Sequence, residues 1–157
     1  MENEQLIEFL QEDLKNERKH LSAYTQYAVQ LTGLHREELR EFCETQAADE
    51  LKHVTEFSEL IVHLGGTPDV ETNPYPSDLT CPTSIVKAIV EMEDEVADNY
   101  AKRLKSTEDY DNAATAYTHL FYEEQLLDSW KTAREVQKMI PKKTCETKAR
   151  SGNWSLK

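Results

Sequence analysis

Apolar residues recur every three or four positions over four long stretches of the chain, which is the spacing of one face of an α-helix. Gly33 closes the first stretch and the Gly65–Gly66 pair closes the second, because glycine favours the backbone turn that ends a helix. The four predicted helices span about residues 3–33, 36–64, 84–106 and 111–140. The pattern therefore predicts an all-α fold.

The link between the second and third predicted helices is unusually long. Residues 65–82 contain Pro68, Pro74, Pro76 and Pro82, and proline does not continue a helix. A loop of this length inside a compact domain usually has a purpose. Here it can run the length of a helical bundle. Short links within each pair of helices, and one long crossover between the second and third helices, predict a ferritin-like antiparallel four-helix bundle.

Charge is distributed unevenly along the chain. The net charge is −12, but residues 141–157 hold five Lys/Arg and one Glu, a net of +4, so the remaining body carries −16. We predict the bundle over residues 1–140 and a flexible basic tail over 141–157. An acidic body disfavours nucleic acid, because phosphate binding needs clustered Lys and Arg. It is compatible with attracting metal cations, although solubility alone could explain it.

The sequence shows no targeting or membrane signal. The N-terminus lacks the basic and apolar segments of a signal peptide, and no apolar run approaches the roughly 18 residues of a membrane span. Cys43, Cys81 and Cys145 are odd in number and form no C-x-x-C, so neither a disulfide framework nor a zinc site is indicated. We expect Cys43 to be buried on an apolar helical face. These features predict a cytoplasmic protein without a membrane partner.

Each predicted helix carries a glutamate in the middle of its apolar stripe. These residues are Glu17, Glu50, Glu93 and Glu124. One of them alone would be read as a surface residue at a stripe edge. Four, one per helix, need a shared explanation, because an uncompensated buried carboxylate costs several kcal/mol. A pair of metal ions supplies it, since hard cations prefer oxygen ligands.

The second helix also carries a histidine at ligand spacing. In Glu50-Leu-Lys-His53, three residues advance the helix by nearly one turn, so both side chains project to the same face. Glu50 can then bridge two metals while His53 binds one of them. A lone histidine of this kind is more often a partly exposed helical residue. The register with Glu50 and the neighbouring Phe57 favour the ligand.

Several other charged residues remain as alternatives. His20 follows Glu17 at the same spacing, and it is either a surface histidine at the stripe edge or a further ligand. His119 would point away from the stripe of the fourth helix. If the helix registers are wrong, the fallback candidates are Glu91 and Glu95 for Glu93, and Glu123 for Glu124.

Four motifs carry a resemblance to a known family. They are Asn16-Glu17 followed by Tyr24, Asp49-Glu50-Leu-Lys-His53 followed by Gly65-Gly-Thr-Pro68, Glu93 seven residues before Tyr100, and Glu124 six residues before Trp130. In these the sequence resembles the bacterioferritin/ferritin family of di-iron carboxylate proteins, over about residues 5–140. The resemblance implies a ferritin-like bundle that binds two iron ions per subunit. It also implies the metal ligands, which are Glu17, Glu50, His53, Glu93 and Glu124. Tyr24 would lie near them and donate a hydrogen bond or an electron, unless it is a simple core tyrosine.

Three positions depart from the family pattern. Leu127 stands where bacterioferritins have a second histidine on the fourth helix, which implies a weaker second metal site unless His20 replaces that ligand. Leu51 stands where bacterioferritins have a haem-binding methionine, so the resemblance implies no haem. No short fifth helix follows the fourth, so a 24-subunit cage is not implied.

The resemblance implies a ferroxidase that oxidises Fe(II) with dioxygen or peroxide, for iron storage or detoxification, in a homo-oligomer of at least two subunits. Two alternatives stay open. One is a di-iron oxygenase or peroxidase acting on another substrate. The other is a non-catalytic metal-binding bundle, which Leu127 makes credible. The ending Ser155-Leu156-Lys157 is loosely similar to peptides that load ferritin-like cargo into encapsulin shells, and an unstructured end is the alternative.

Overall fold

Four α-helices make up the described part of the protein. The computed structural model describes residues 1–140, so the predicted basic tail and its encapsulin-like ending lie outside the described residues. The helices are α1 (Asn3–Gln30), α2 (Arg36–His63), α3 (Pro82–Ser106) and α4 (Ala113–Gln137). The predicted all-α bundle is confirmed, and the helix ends lie within three residues of the predicted ones. None of these four helices is long and apolar enough to cross a membrane.

Local sequence signals set the helix ends. Pro82 begins α3, a position where its missing N–H leaves no hydrogen bond unmade. Asn112 caps α4, because its side-chain oxygen accepts a hydrogen bond from the backbone N–H of Thr115 at 2.9 Å. Gly33 and Gly65 adopt φ values of +87° and +95°, which other residues rarely adopt. The chain can therefore turn sharply after α1 and α2.

The four helices pair as two hairpins. α1 packs along α2, and α3 packs along α4. The crossover between the hairpins lies along α1. The side-chain amide of Asn73 donates to Asn16 Oδ1 at 2.8 Å, and the Tyr27 hydroxyl donates to the Pro76 carbonyl at 2.8 Å. These hydrogen bonds fix the long connection to the first hairpin.

The core consists of two apolar clusters separated by a polar layer. The first cluster includes Ala23, Tyr24, Tyr27, Cys43, Ile85, Ile89 and Val136. The second includes Leu10, Leu14, Phe57, Val96, Tyr100 and Tyr122. Along α1, the buried Glu17 and His20 lie between the residues that belong to the two clusters. Cys43 is buried, as predicted.

The apolar stripe that the sequence predicts for α4, in which Ala113, Tyr117, Leu120, Glu124 and Leu127 are aligned, is wrong. Tyr117, Leu120 and Leu127 are exposed, at 62%, 61% and 71%. The buried face instead consists of Thr115, Thr118, Tyr122, Gln125, Ser129, Ala133 and Val136. Small polar side chains can face the core here because their hydroxyls find partners locally: Thr118 Oγ1 donates to the Ala114 carbonyl at 2.9 Å. Three large apolar residues of this helix therefore lie on its outer face.

Candidate metal centre

Five carboxylate and imidazole side chains converge in the polar layer, which we call the buried centre. α1 contributes Glu17 and His20, α2 contributes Glu50 and His53, and α3 contributes Glu93. Glu17, His20 and Glu93 are at most 2% exposed, and Glu50 is 5% exposed. Three carboxylates buried at one place require compensating positive charge.

The first cluster in the buried centre joins Glu17, Glu50 and His53. His53 Nδ1 lies 3.2 Å from Glu17 Oε2 and 3.4 Å from Glu50 Oε2. One nitrogen and two oxygens, all within 4.8 Å of one another, can bind a single cation. The sequence predicted these three residues together.

The second cluster joins His20, Glu50 and Glu93. His20 Nδ1 lies 3.5 Å from Glu50 Oε1 and 3.5 Å from Glu93 Oε1. Glu50 thus turns one oxygen toward each cluster, which is the geometry of a bridging ligand. The structure places His20 in the centre rather than at the surface.

The two histidines reach the centre by the same local geometry. His20 follows Glu17, and His53 follows Glu50, by three residues on a helix, so each pair shares a helical face. Because α1 and α2 form one hairpin, their two E-x-x-H motifs face each other. Four of the five donors therefore come from a single pair of packed helices.

Neighbouring carboxylates determine the charge of both histidines. Burial by itself would lower the pKa of His20, but Glu93 and Glu50 outweigh it and raise that pKa to about 10. Burial likewise opposes charge on His53, but Glu17 and Glu50 raise its pKa to about 11. Burial, and then the charge of Glu50, raise the pKa of Glu17. Without a bound cation, two imidazolium rings offset the carboxylates.

Two tyrosines hold the outer carboxylates in place. The Tyr24 hydroxyl donates to Glu93 Oε1 at 2.6 Å, so the tyrosine singled out from the sequence does contact the centre. The Tyr100 hydroxyl donates to Glu17 Oε1. The sequence had pointed to Tyr100 through its spacing from Glu93, without a role at the centre. Groups of this kind orient metal ligands and are a regular part of metal sites.

The structure does not bring Glu124 to the buried centre. Its side chain is exposed on α4, and so is that of its fallback, Glu123. His119 also lies elsewhere, with its Nδ1 2.9 Å from Thr107 Oγ1. The predicted register of α4 was off by about one residue, since the buried Gln125 faces inward instead. Glu91 and Glu95 are exposed, consistent with Glu93 as the residue that faces inward.

An opening between α2 and α4 leads to the centre. His53 lines a cavity of about 380 Å³ together with residues of both helices: Asp49, Lys52, Glu56, Glu124, Gln125, Leu127, Asp128 and Lys131. His53 Nε2 faces Asp128 Oδ2 at 3.6 Å. Sequence reasoning missed Asp128, although it lies one helical turn after Glu124. Glu124 thus borders the approach to the centre.

The donor set fits two small cations. Three carboxylates and two neutral imidazoles carry three negative charges, which two divalent ions more than offset, with Glu50 between them. His20 Nε2 is buried and has no hydrogen-bond partner within residues 1–140. Its Nδ1 is thus the nitrogen that faces the carboxylates. The fold and the centre together define a four-helix bundle with a buried carboxylate–histidine cluster in its core.

Comparison with known proteins identifies the family. A family model described as the ferritin-like domain matches residues 7–140, which is most of the chain. The chain therefore belongs to the ferritin family. A search of curated proteins by sequence returns no match.

Solved structures share the fold over most of the chain. A "ferritin like, diiron-carboxylate" protein of Bacillus anthracis is 24% identical, with a TM-score of 0.80, covering 88% of this chain and 97% of its own. The bacterioferritin of Desulfovibrio desulfuricans, whose structure shows a diiron site, is 20% identical with a TM-score of 0.79, covering 88% and 79%. Dps from Thermosynechococcus elongatus is 16% identical with a TM-score of 0.80, covering 88% and 92%. Because these sequence identities are below 25%, the structural similarity establishes the shared fold and nothing further.

Proposed function

We propose that the protein is a ferroxidase that binds two Fe(II) ions in the buried centre and oxidises them with dioxygen or peroxide. One ion would lie between Glu17, Glu50 and His53, and the other between His20, Glu50 and Glu93. The observation that carries the proposal is the pair of clusters that share Glu50. Membership of the ferritin family and the diiron site of the bacterioferritin structure support iron as the metal.

The proposed ligand set differs from the one inferred from sequence. His20 replaces Glu124, so each ion has one imidazole nitrogen and two carboxylates. This removes the main reason to expect a weak second site, since the missing histidine at Leu127 is compensated from α1. It also weakens the alternative of a non-catalytic bundle that holds one metal.

The chain's own residues would bind the iron ions, orient the ligands and release protons. His20 and His53 would give up their protons as the cations enter, because a ligating imidazole must be neutral at the metal-binding nitrogen. Tyr24 and Tyr100 would keep Glu93 and Glu17 aimed at the ions. The cavity beside His53 would admit Fe(II) and the oxidant from solvent. Iron supplies the electrons, and the protein supplies fixed geometry and charge compensation.

Anaerobic titration with Fe(II), followed by air, tests the proposal. We expect about two Fe(II) per chain, as the two clusters imply, and a rise in oxo-ferric absorbance on admitting oxygen. His20→Gln should lower the stoichiometry to one and Glu50→Gln should abolish tight binding. Glu124→Gln is the matched control: an acidic residue near the centre whose loss should leave the stoichiometry unchanged.

The outcomes separate the candidate functions. Binding of two metals without oxygen or peroxide uptake would overturn the ferroxidase proposal and favour a non-catalytic metal-binding bundle. Uptake of oxidant without accumulation of ferric iron would favour an oxygenase or peroxidase that acts on another substrate. A loss of the second ion in Glu124→Gln would restore the sequence-derived ligand set.

We also infer that the chain forms a homo-oligomer and that it works in the cytoplasm. Three large apolar side chains of α4, at Tyr117, Leu120 and Leu127, are more than half exposed. Exposed apolar surface of this kind commonly marks a contact between proteins. Mass measurement in solution decides whether the chain is a monomer, a dimer or a larger assembly, and whether it stores iron in a cavity.

A further inference from the structure

An apolar groove at one end of the bundle takes no part in the buried centre. It is a cavity of about 420 Å³ between the first turns of α2 and α3 and the residues that follow α4. Its apolar lining side chains are Leu39, Phe42, Pro82, Val86 and Met139. Met139 is 44% exposed, so the groove opens to solvent on that side. An open apolar groove of this kind fits an apolar side chain from another segment.

The described part of the chain stops at the rim of this groove. After α4, the backbone N–H of Met139 donates to the Val136 carbonyl at 2.9 Å, and that of Ile140 donates to the Gln137 carbonyl at 3.2 Å. Ile140 also packs against the first apolar cluster of the core. These contacts fix the point from which the following residues start. Residue 141 therefore follows directly from the edge of the groove.

Residues 141–157, the basic tail, carry side chains that the groove suits. Their large apolar side chains are Trp154 and Leu156, among five Lys/Arg and one Glu. An enclosed tryptophan buries roughly 150–250 Å². Trp154 comes fourteen positions after Ile140, and such a stretch spans up to about 45–50 Å when extended. The indole can therefore return to a groove whose rim lies at the start of the tail.

The charges around the groove are opposite to those of the tail. Over Arg36–Glu44, α2 carries four glutamates and two arginines, a net of −2. Both arginines form ion pairs inside this stretch, with Glu37 and Glu44. Glu38, which lines the groove, and Glu41 are exposed and form no ion pair within residues 1–140. Two carboxylates at the groove are thus available to the lysine and arginine side chains of the tail.

We propose that the basic tail docks in the apolar groove, with the indole of Trp154 in the cavity and cationic side chains of the tail beside Glu38 and Glu41. Because the tail continues from the edge of the groove, docking is intramolecular, and its effective concentration is roughly millimolar. A site of modest affinity is therefore occupied. Neither the groove nor the tail contains a proposed metal ligand, so this inference does not depend on the ferroxidase activity.

Tryptophan fluorescence tests the docking in the full chain. The sequence has two tryptophans, and Trp130 is 57% exposed on α4, so Trp130→Phe leaves Trp154 as the single reporter. We expect the emission of Trp154 at shorter wavelength than that of a free peptide of residues 141–157. Quenching by acrylamide should be several-fold slower than in the peptide. Emission and quenching equal to those of the peptide would overturn the proposal.

Two surface substitutions test whether the groove is the site. Thr83 is exposed and lines the cavity, so Thr83→Phe should fill the space from within. Met139→Ser removes one apolar wall. Each, added to Trp130→Phe, should return the quenching rate toward that of the peptide, with helical content unchanged by circular dichroism.

Val70→Ser is the matched control, because Val70 is an 84% exposed apolar residue on the crossover, away from the groove. It should leave the quenching of Trp154 unchanged. Protection of Trp154 that survives both Thr83→Phe and Met139→Ser would mean that the tail docks elsewhere, and would overturn the assignment of the groove.

Neutralising the two glutamates tests the electrostatic part. Glu38→Gln with Glu41→Gln should raise the quenching rate of Trp154 and reduce its dependence on salt. Glu4→Gln with Glu8→Gln makes the same change in charge at exposed positions on the first turns of α1, and should have a smaller effect. Equal effects of the two pairs would overturn the pairing of the tail with Glu38 and Glu41.

Dilution distinguishes docking within one chain from docking on a second copy. Intramolecular docking predicts the same emission and quenching of Trp154 from high to low micromolar protein, because the effective concentration is set by the chain itself. Protection that disappears on dilution, together with a fall in mass by light scattering, would assign the groove to the tail of another copy and overturn the proposal.

Discussion

At the scale of single residues, the two histidines of the buried centre provide positive charge in the absence of a metal. His20 and His53 lie between the carboxylates at the distances of charged hydrogen bonds or slightly beyond them. Their positive charge lets the bundle fold before any metal arrives. In the proposed metal-bound state the same nitrogens would become ligands after losing their protons. The metal-free fold and metal binding would therefore compete over the same two protons.

This competition gives the metal-free protein a specific pH dependence. The folded-state pKa of His20, about 10, lies above its ordinary value of 6.5. Its stabilising charge is therefore complete below pH 6.5 and is lost as the pH rises toward 10. We expect the free energy of unfolding to fall across this window by an amount on the order of a few kcal/mol. Urea unfolding of metal-free protein at several pH values measures it.

His20→Gln is the control for that series, because glutamine cannot be protonated in this range. The variant should show a shallower fall between pH 6.5 and 10 than the original chain. Equal slopes for the two proteins would mean that His20 does not carry the charge that the buried carboxylates impose on it.

Much of the candidate centre follows from the sequence, residue by residue. Glu17, Glu50, His53 and Glu93 could be chosen because each sits in a clear apolar stripe at the right spacing. His20 stayed open because its burial depends on Glu50 and Glu93, which belong to other helices. Glu124 was misplaced because the apolar residues aligned with it on α4, such as Leu120 and Leu127, lie on the exposed face. Spacing along one helix predicts a shared face, but not which neighbouring helix covers it.

At the scale of elements, α4 departs from the usual relation between polarity and burial. Its inner face mixes small polar residues with apolar ones such as Tyr122 and Val136, while three large apolar residues are exposed on its outer face. α1, α2 and α3 follow the ordinary pattern, which is why the four helices and the crossover could be predicted from the sequence. The orientation of α4 could not be predicted. Helical periodicity identifies an apolar face, but it does not distinguish a face that packs on the core from one that contacts another protein.

Lysine substitutions on the two faces of α4 test this orientation. Leu120→Lys with Leu127→Lys should keep full helicity, because both positions are exposed. The double variant should lower the mass of the assembly if the outer face is a subunit contact. Ala133→Lys, at a fully buried position, should instead unfold much of the protein. Circular dichroism measures the helical content, and light scattering measures the mass of the assembly.

A result with the opposite pattern would contradict the orientation of α4. If Leu120→Lys with Leu127→Lys unfolds the chain while Ala133→Lys is tolerated, the face inferred from sequence is the buried one.

The turn after α2 depends on two adjacent glycines for different reasons. Gly65 has φ +95° and open space where a Cβ would lie, so Gly65→Ala should cost about 1 kcal/mol through backbone strain alone. A Cβ on Gly66 would lie 2.9 Å from Ile61 Cγ2 and 3.0 Å from Ile7 Cγ2. Gly66→Ala should therefore cost about 1–3 kcal/mol through overpacking.

Ile7→Ala distinguishes the two mechanisms in a double-mutant cycle. Removing the Ile7 side chain should recover part of the cost of Gly66→Ala and none of the cost of Gly65→Ala, as measured by urea unfolding. Additive effects in both pairs would show that no contact with Ile7 limits position 66.

At the scale of the whole molecule, the buried centre links the two hairpins. Four donors belong to the α1–α2 hairpin and Glu93 belongs to α3. A metal pair bound by all five donors, as proposed, would therefore join the two hairpins. Because the metal would bind only the folded protein, its binding energy adds to the stability of the fold.

Thermal unfolding with a redox-inert metal measures this link. Two sites at a free Zn(II) concentration near 100 times Kd would add roughly 5 kcal/mol, or a rise in Tm of roughly 10–20 °C for a domain of this size. Chelation should reverse the shift. Glu50→Gln should lose most of it, because both clusters share this residue, and Glu124→Gln should retain it. A Tm independent of metal would argue against a metal site between the hairpins.

The division of donors between the hairpins also has an evolutionary consequence. Since α1 and α2 carry both E-x-x-H motifs and α4 carries none of the five donors, substitutions on α4 would leave the proposed ligands unchanged. They alter the rim of the opening beside His53 and the surface offered to other subunits. Lineages descended from such a bundle can thus diversify what reaches the metal and what surrounds the protein, while the inherited chemistry stays the same.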